Sequence, residues 1–292
     1  MEDELLRFLY HRLVGSASGA GLRRGKFSDG VIVLIFLLGV LHGRSPRWAA
    51  DRRNWPLWLR RVLPLPSYSQ LMRRLRSDSV QQTIHQINAE LRDSLPRSQL
   101  KFCDGKPLVV GGFSKDPDAR YGKVPDGWAR GYKVHALVDS LGAIEAFEVT
   151  GLDAGESTVA RRLVRQTNLN AAVIRADANY DSNALYATVN QCGGRLIAPR
   201  RKPGRGLGHH PQHPDRLRAI AELEADRATM RAHRRMRAGV EQRFAHLTNL
   251  PFGLSPLPNF VRRQRRVNLW VQGKITLYHL YLNLCQLKMK AA

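Results

Sequence analysis

Apolar residues change their spacing twice along this chain. Leu5, Leu6, Phe8, Leu9 and Leu13 recur at helical spacing, and Val31–Leu41 is an apolar run that reads as a buried helix. A loop follows, in which Trp48, Trp55 and Trp58 stand among Arg47, Arg52, Arg53, Arg60 and Arg61. Ser67 and Gln70 then form a capping-box pattern that opens a helix. From residue 98 the period shortens. Tyr132, Val134, Ala136 and Val138 alternate with Lys133, His135 and Leu137, which predicts a half-buried strand. Asp139–Gly142 is a turn, and Ala143–Val149 a returning strand. Leu100–Asp104, Ala171–Ala176 and Arg195–Ala198 add three short strands, and Ala154–Gln166 and Ser182–Gln191 two helices. One long helix is predicted from Arg216 to Leu247, with an apolar stripe of Met236, Val240, Phe244 and Leu247, and a core helix from Leu269 to Leu287.

The order predicts an α/β fold, a mixed sheet flanked by helices, preceded by a small all-helical domain. The boundary falls near residue 97, giving an N-terminal unit of residues 1–97 and a second unit of residues 98–292. The longest apolar run has 11 residues, whereas a membrane span needs about 20. The acidic start Met1-Glu2-Asp3-Glu4 is unlike a signal peptide. Cys103, Cys192 and Cys285 are too scattered for a zinc site or a disulfide framework, and read as buried thiols of a reducing cytoplasm.

A formal net charge of +23 implies a polyanionic partner, DNA or RNA. Arg73, Arg74 and Arg76 on the helix opened by Ser67 suit a DNA groove; the alternative is an ordinary solvated face of a small bundle. Arg200, Arg201, Lys202 and Arg205 begin a loop at about 199–215 and are candidate phosphate contacts, as is Arg234. His209, His210 and His213 lie in the same loop with no ligand-spaced partner, and read as polar loop residues.

Three carboxylates stand out against this background. Asp104 and Asp177 end apolar, strand-like runs, and Glu241 lies in an Arg-rich helix four residues after Arg237. Carboxylates so placed can converge on magnesium, a hard cation that takes oxygen ligands. Two such ions about 3.5–4 Å apart activate a hydroxyl and stabilise the leaving oxygen of a phosphodiester. Asp139, Asp153 and Asp181 read instead as a turn residue, a helix opener and a helix cap.

Ala176–Ser182, Arg237-x-x-x-Glu241 and Gly131–His135 resemble motifs of the DDE transposases encoded by bacterial insertion sequences. Two positions depart from that pattern: Arg234 stands where the family often has Tyr, and Thr248 where it often has Lys. The resemblance covers about residues 98–285 and implies a ribonuclease H-like catalytic fold. It implies Asp104, Asp177 and Glu241 as catalytic metal ligands, two magnesium ions with manganese as substitute, and Arg237 as the group orienting Glu241 or a phosphate. Tyr180 would pack under the active strand or touch DNA. The implied partners are double-stranded DNA at transposon ends and target, and a second copy of the chain, in a bacterial cytoplasm beside the nucleoid. Two other functions stay open, a transposase-derived DNA binder without catalysis and a ribonuclease H-like nuclease.

Overall fold

The computed structural model describes residues 1–15, 27–207, 209–250, 253–254 and 256–291; Gly208 and the side chain of Val240 lie outside the described residues. Six helices come first: α1 (Glu2–Leu13), α2 (Asp29–Leu41), α3 (Pro46–Ala49), α4 (Leu57–Val62), α5 (Tyr68–Arg74) and α6 (Asp78–Asp93). The sheet strands are β1 (Leu100–Val109), β2 (Arg120–Val124), β3 (Gly127–Asp139), β4 (Ile144–Gly151), β5 (Val173–Arg175) and β6 (Arg195–Ile197). Between and after them run α7 (Glu156–Arg165), α8 (Asn183–Gln191), α9 (Pro214–Glu224), α10 (Arg227–Asn249) and α11 (Gln264–Ala291).

The sheet runs β2-β3-β1-β5-β6, with β4 also paired to β3. β1, β3 and β4 are antiparallel neighbours, whereas β5 and β6 join in parallel. Three antiparallel strands followed by two parallel ones, with helices on both faces, is a ribonuclease H-like mixed sheet.

One apolar core joins α1, α2 and α6 to α11 and to the sheet face carrying Phe102, Val134, Ala136 and Val138. The predicted boundary at residue 97 falls between α6 and β1, and the elements on its two sides share this core. α2 is buried along nearly its whole length because α1, α3, α6 and α11 pack around it. A Cβ at Gly273 would sit 3.0 Å from Phe36, so only the missing side chain permits this approach. The second core, around Cys103, Leu137, Ile174, Tyr180 and Tyr186, fills the other face beneath α7 and α8.

Several sequence expectations need correction. β3 is buried on both faces, not half-buried, because α7 covers the face of Lys133 and His135. Lys133 is neutralised there by Glu156 at 2.9 Å, and His135 bonds Thr150 at 3.0 Å. β2 was not anticipated, since Arg120–Val124 lacks an apolar alternation. The single helix expected over 216–247 is two: α9 ends at Glu224, and Asp226 accepts the Thr229 amide at 2.7 Å to cap α10. The capping box of Ser67 and Gln70 is formed as expected. Of the cysteines only Cys103 is fully buried. Among the described residues no helix is long and apolar enough to cross a membrane.

His279 ties α11 to both α6 and the sheet. Its Nε2 accepts the Ile144 amide at 3.0 Å, so the proton sits on Nδ1, which donates to Asn88 Oδ1 at 2.9 Å. Burial pushes its pKa down to about 3 from an ordinary 6.5. The folded state must therefore keep this ring neutral, while the unfolded chain takes up a proton below 6.5. The stability it contributes is complete above pH 6.5 and is lost as pH falls towards 3. His279→Gln retains a donor and an acceptor but does not titrate. Urea unfolding at pH 7 and pH 4.5 is expected to show a steeper acid loss in the wild type; equal losses would remove His279 from the acid transition.

Candidate active site

The site forms where β5 stops and β1 continues. β1 and β5 pair in parallel as Leu100 with Val173, Lys101 with Ile174 and Phe102 with Arg175. The same offset, carried two residues further, sets Asp104 beside Asp177. Neighbouring strands lie about 4.8 Å apart, so the two carboxylates face one space. Asp104 is not at the end of its strand, as the sequence suggested; β1 runs on to Val109 paired only with β3. The loss of β5 as a neighbour is what opens the sheet at this point. Asp177 bends back to accept the Asn179 amide at 2.7 Å, capping a short turn over Ala178–Tyr180. Asp104 accepts the Gly105 amide at 2.8 Å.

Burial raises the Asp104 pKa to about 6, with the Asp177 and Glu156 charges adding to the rise and Arg237 opposing it. Asp177 is raised by burial too, with Glu156 adding and Arg237 and Lys133 opposing. Two half-desolvated carboxylates with incomplete neutralisation are a place where a cation binds favourably.

α10 lies against this edge and presents one residue per turn to it. His233 is fully buried, its Nε2 donating to the Ala176 carbonyl at 3.3 Å and its Nδ1 accepting from Arg175 at 3.1 Å. One turn on, Arg237 faces the aspartates. A further turn on, Glu241 stands 3.9 Å from the Arg237 guanidinium with a side chain 70% exposed. The structure thus brings Asp104, Asp177 and Arg237 together and leaves Glu241 on the outer side of Arg237. Among the described residues no group of three His, Cys, Asp or Glu side chains is gathered as a metal site. The aspartate pair fits a divalent cation; the three carboxylates do not form one ligand set here.

The other predicted residues divide. Arg234 is exposed and lines a cleft with Asp177, Arg200, Arg201 and Arg237. Arg201, Lys202 and Arg205 are exposed. Arg200 is engaged by Glu224 at 2.9 Å, because α9 ends beside it. Arg73 and Arg76 are exposed, but Arg76 lies beyond the end of α5. Arg74 turns inward to Asp29 and donates to the Phe27 carbonyl at 3.0 Å, so it braces α5 against α2 instead of facing solvent. Tyr180 is fully buried beneath the sheet, which takes it away from any DNA surface.

The rejected aspartates hold structural posts. Asp139 Oδ1 accepts three successive amides from Leu141 to Ala143. Asp153 does not open the helix, which starts at Glu156 after Gly155. Asp181 is not the cap of α8 either. Ser182 caps it at 3.3 Å, while Asp181 receives both arms of Arg216, at 2.6 and 2.7 Å, and the Arg201 amide at 3.0 Å. That fork fixes the start of the basic loop to α9.

Sequence reasoning missed Lys133, Glu156 and His233. Glu156 opens α7 with its carboxylate at the edge of the aspartate pair; a Cβ on Gly105 would lie 3.4 Å from its Oε1. The available signal was the acidic first turn of a helix arriving beside the strand that carries Lys133.

Residues 96–280 match the family described as the transposase DDE domain. The chain belongs to the DDE transposases. No curated relative matches it. Among solved structures, a piggyBac transposase in a synaptic complex with hairpin DNA shares the fold at a TM-score of 0.51 and 12% identity, over 96% of this chain and 72% of that one. The Mos1 mariner paired-end complex with manganese aligns at a TM-score of 0.24 and 11% identity, over 94% of this chain and 84% of that one. As a DDE transposase the chain is a metal-dependent enzyme acting on DNA.

The Lys133–Glu156 pair beside the site is nearly dry, with side chains 11% and 16% exposed. Removing one partner of a buried pair typically costs about 3–5 kcal/mol, whereas replacing both with apolar residues costs much less. Lys133→Met and Glu156→Leu are each expected to destabilise this transposase strongly in urea unfolding, and the double variant less than their sum. Additive losses would show that the two side chains act independently.

Proposed function

We propose that this transposase cleaves DNA at transposon ends and joins the freed 3′-hydroxyl to target DNA, with Asp104, Asp177 and Glu241 as the catalytic carboxylates. The observation that carries this reading is the register-matched pair of Asp104 and Asp177, with Asp177 lining a cleft that Arg200, Arg201, Arg234 and Arg237 share. Divalent carboxylate chemistry and a scissile phosphate meet on one surface there. Asp104 and Asp177 would hold the cation, magnesium with manganese as substitute, and two ions serve the reaction. When bound, such ions activate the attacking oxygen and stabilise the leaving one.

The chain's own residues prepare the rest. Arg237 offsets the charge of both aspartates and reaches towards Glu241, so it couples the third carboxylate to the pair. Its planar fork suits a carboxylate or a phosphate, and its Nε is buried without a partner. Arg234 and Arg201 supply phosphate contacts on the open side, continued by Lys202 and Arg205, with Arg200 held ready by Glu224. Arg73 on α5 and Arg76 in the turn after it contact DNA; Arg74 is left out of that set by its pairing with Asp29. Work at two transposon ends calls for a homodimer on double-stranded DNA, in a bacterial cytoplasm. The insertion-sequence origin belongs to this same reading.

One observation favours a second reading, a DNA-binding protein without cleavage: Glu241 is exposed and apart from the aspartates. Strand cleavage of the element's own ends, in magnesium or manganese, separates the two. Asp104→Asn, Asp177→Asn and Glu241→Gln are each expected to abolish cleavage while DNA affinity stays within about threefold, since few phosphate contacts change. Arg237→Ala should lower cleavage about tenfold or more, equivalent to about 1.4 kcal/mol of barrier, with Arg237→Lys restoring only part. Wild-type cleavage by Glu241→Gln would exclude that carboxylate, and an uncleaved substrate with wild-type protein would favour the silent binder.

A further inference from the structure

β1 and β3 extend beyond the active edge into an arm. It consists of the 110–119 loop and the β2–β3 hairpin. Three large aromatic side chains stand in solvent on it: Phe113, 104% exposed, Trp128, 77%, and Tyr121, 67%. Soluble proteins leave few such groups uncovered without a use for them.

Pairing fixes which way they point. Lys123 lies opposite Trp128, and Tyr121 opposite Arg130. Residues directly opposite in an antiparallel pair share a face, so Tyr121, Lys123 and Trp128 form one surface. The reverse face is closed: a Cβ at Gly122 would lie 2.4 Å from the Leu152 carbonyl.

The arm is braced, which sets it apart from a loose loop. Arg130 donates to the carbonyls of Ala119 at 3.1 Å and Ser114 at 3.0 Å. Asp116 accepts the Tyr132 hydroxyl at 2.7 Å and the Arg263 amide at 3.0 Å, and Asp118 accepts the Gln264 amide at 2.9 Å. The loop is thereby tied to the start of α11. Lys115 and Lys123 are exposed on the arm, and Asp126 is the exposed acid of the hairpin turn.

We propose that this arm binds DNA by stacking unpaired bases on Trp128 and Tyr121 while Lys123 and Lys115 meet the backbone. A second copy of the chain is the poorer occupant, because a protein of net charge +23 repels itself where lysines line the surface. Aromatic faces interleaved with cations are what single-stranded nucleic acid takes. The location agrees. The arm leaves β1 five residues after Asp104, about 17 Å along a strand, the reach of a few nucleotides from the aspartates. The proposal rests on the transposase reading and adds to it a site for DNA opened near the cut.

The test uses the full chain and two synthetic mixed-sequence DNAs, a blunt duplex and the same duplex with a single-stranded extension. Trp128 is the exposed one among five tryptophans, so the extended DNA is expected to quench emission more than the blunt one. Tyr121→Ala with Trp128→Ala should weaken binding of the extended DNA about tenfold or more and the blunt duplex by less than about threefold. Trp128→Phe should keep most of the affinity, and melting of each variant controls for folding. Equal losses on both DNAs, or none, overturn the proposal. So does a change of sedimentation behaviour in the alanine variant without DNA, which would make the arm a contact between copies. If Asp104→Asn still cleaves while the stacking difference persists, the aspartate assignment fails and the arm stands.

Discussion

The parallel pairing of β1 with β5 is the constraint on which the site depends. Parallel strands need a long crossover, here supplied by β2, β3, β4 and α7, and their register is set by apolar side chains that must face inward on both strands. Phe102, Cys103, Ile174 and Ala176 meet that demand from opposite faces of the sheet. A slip of one residue would send Ile174 to the α10 side and Arg175 into the apolar core beneath α7. The same register that hides Ile174 sets Asp104 against Asp177. The interval of 73 residues between the two aspartates equals the interval between every paired residue of β1 and β5. Core packing therefore sets the two carboxylates side by side, and the Gly105 and Asn179 amides hold them by hydrogen bonds.

Legibility follows from the same physics. The aspartates could be read because each ends a short apolar run, and the strand order because helices and strands differ in period. α2, the capping box at Ser67 and the antiparallel pair β3–β4 were equally visible. Features created by tertiary contact were not. β3 looks half-buried in sequence because Lys133 and His135 are polar, and only the arrival of Glu156 and Thr150 makes their burial tolerable. Arg74 looks like its neighbours Arg73 and Arg76 until Asp29, 45 residues away, claims it. The break between α9 and α10 rests on one cap, Asp226, which a continuous run of helix formers conceals.

Charge works at two ranges. The excess of 47 Lys and Arg over 24 Asp and Glu draws polyanions to the whole surface. Within the site, burial raises the pKa of both Asp104 and Asp177, Glu156 adds to both rises and Arg237 opposes both. A guanidinium cannot release its proton, so it offsets these charges at any working pH but satisfies neither carboxylate as closely as an ion would. The long-range field draws polyanions to the surface at large, while the raised aspartate pair fits a divalent cation.

The placement of Glu241 then has a physical explanation. His233, Arg237 and Glu241 follow one stripe of α10, and His233 is locked by its bonds to Arg175 and Ala176. With the helix fixed there, the turn nearest the aspartates carries Arg237, and Glu241 falls one turn outward. The nearest carboxylate on the opposite wall is Glu156, held to Lys133. Arg237 thus stands on α10 between the aspartate pair and Glu241 and offsets the charge of both aspartates. Bringing Glu241 inward would add a third carboxylate beside Asp104 and Asp177, which is favourable only when positive charge beyond Arg237 is supplied. With the side chains of α10 as they stand, Glu241 therefore keeps to the outer side of Arg237, away from the aspartate pair.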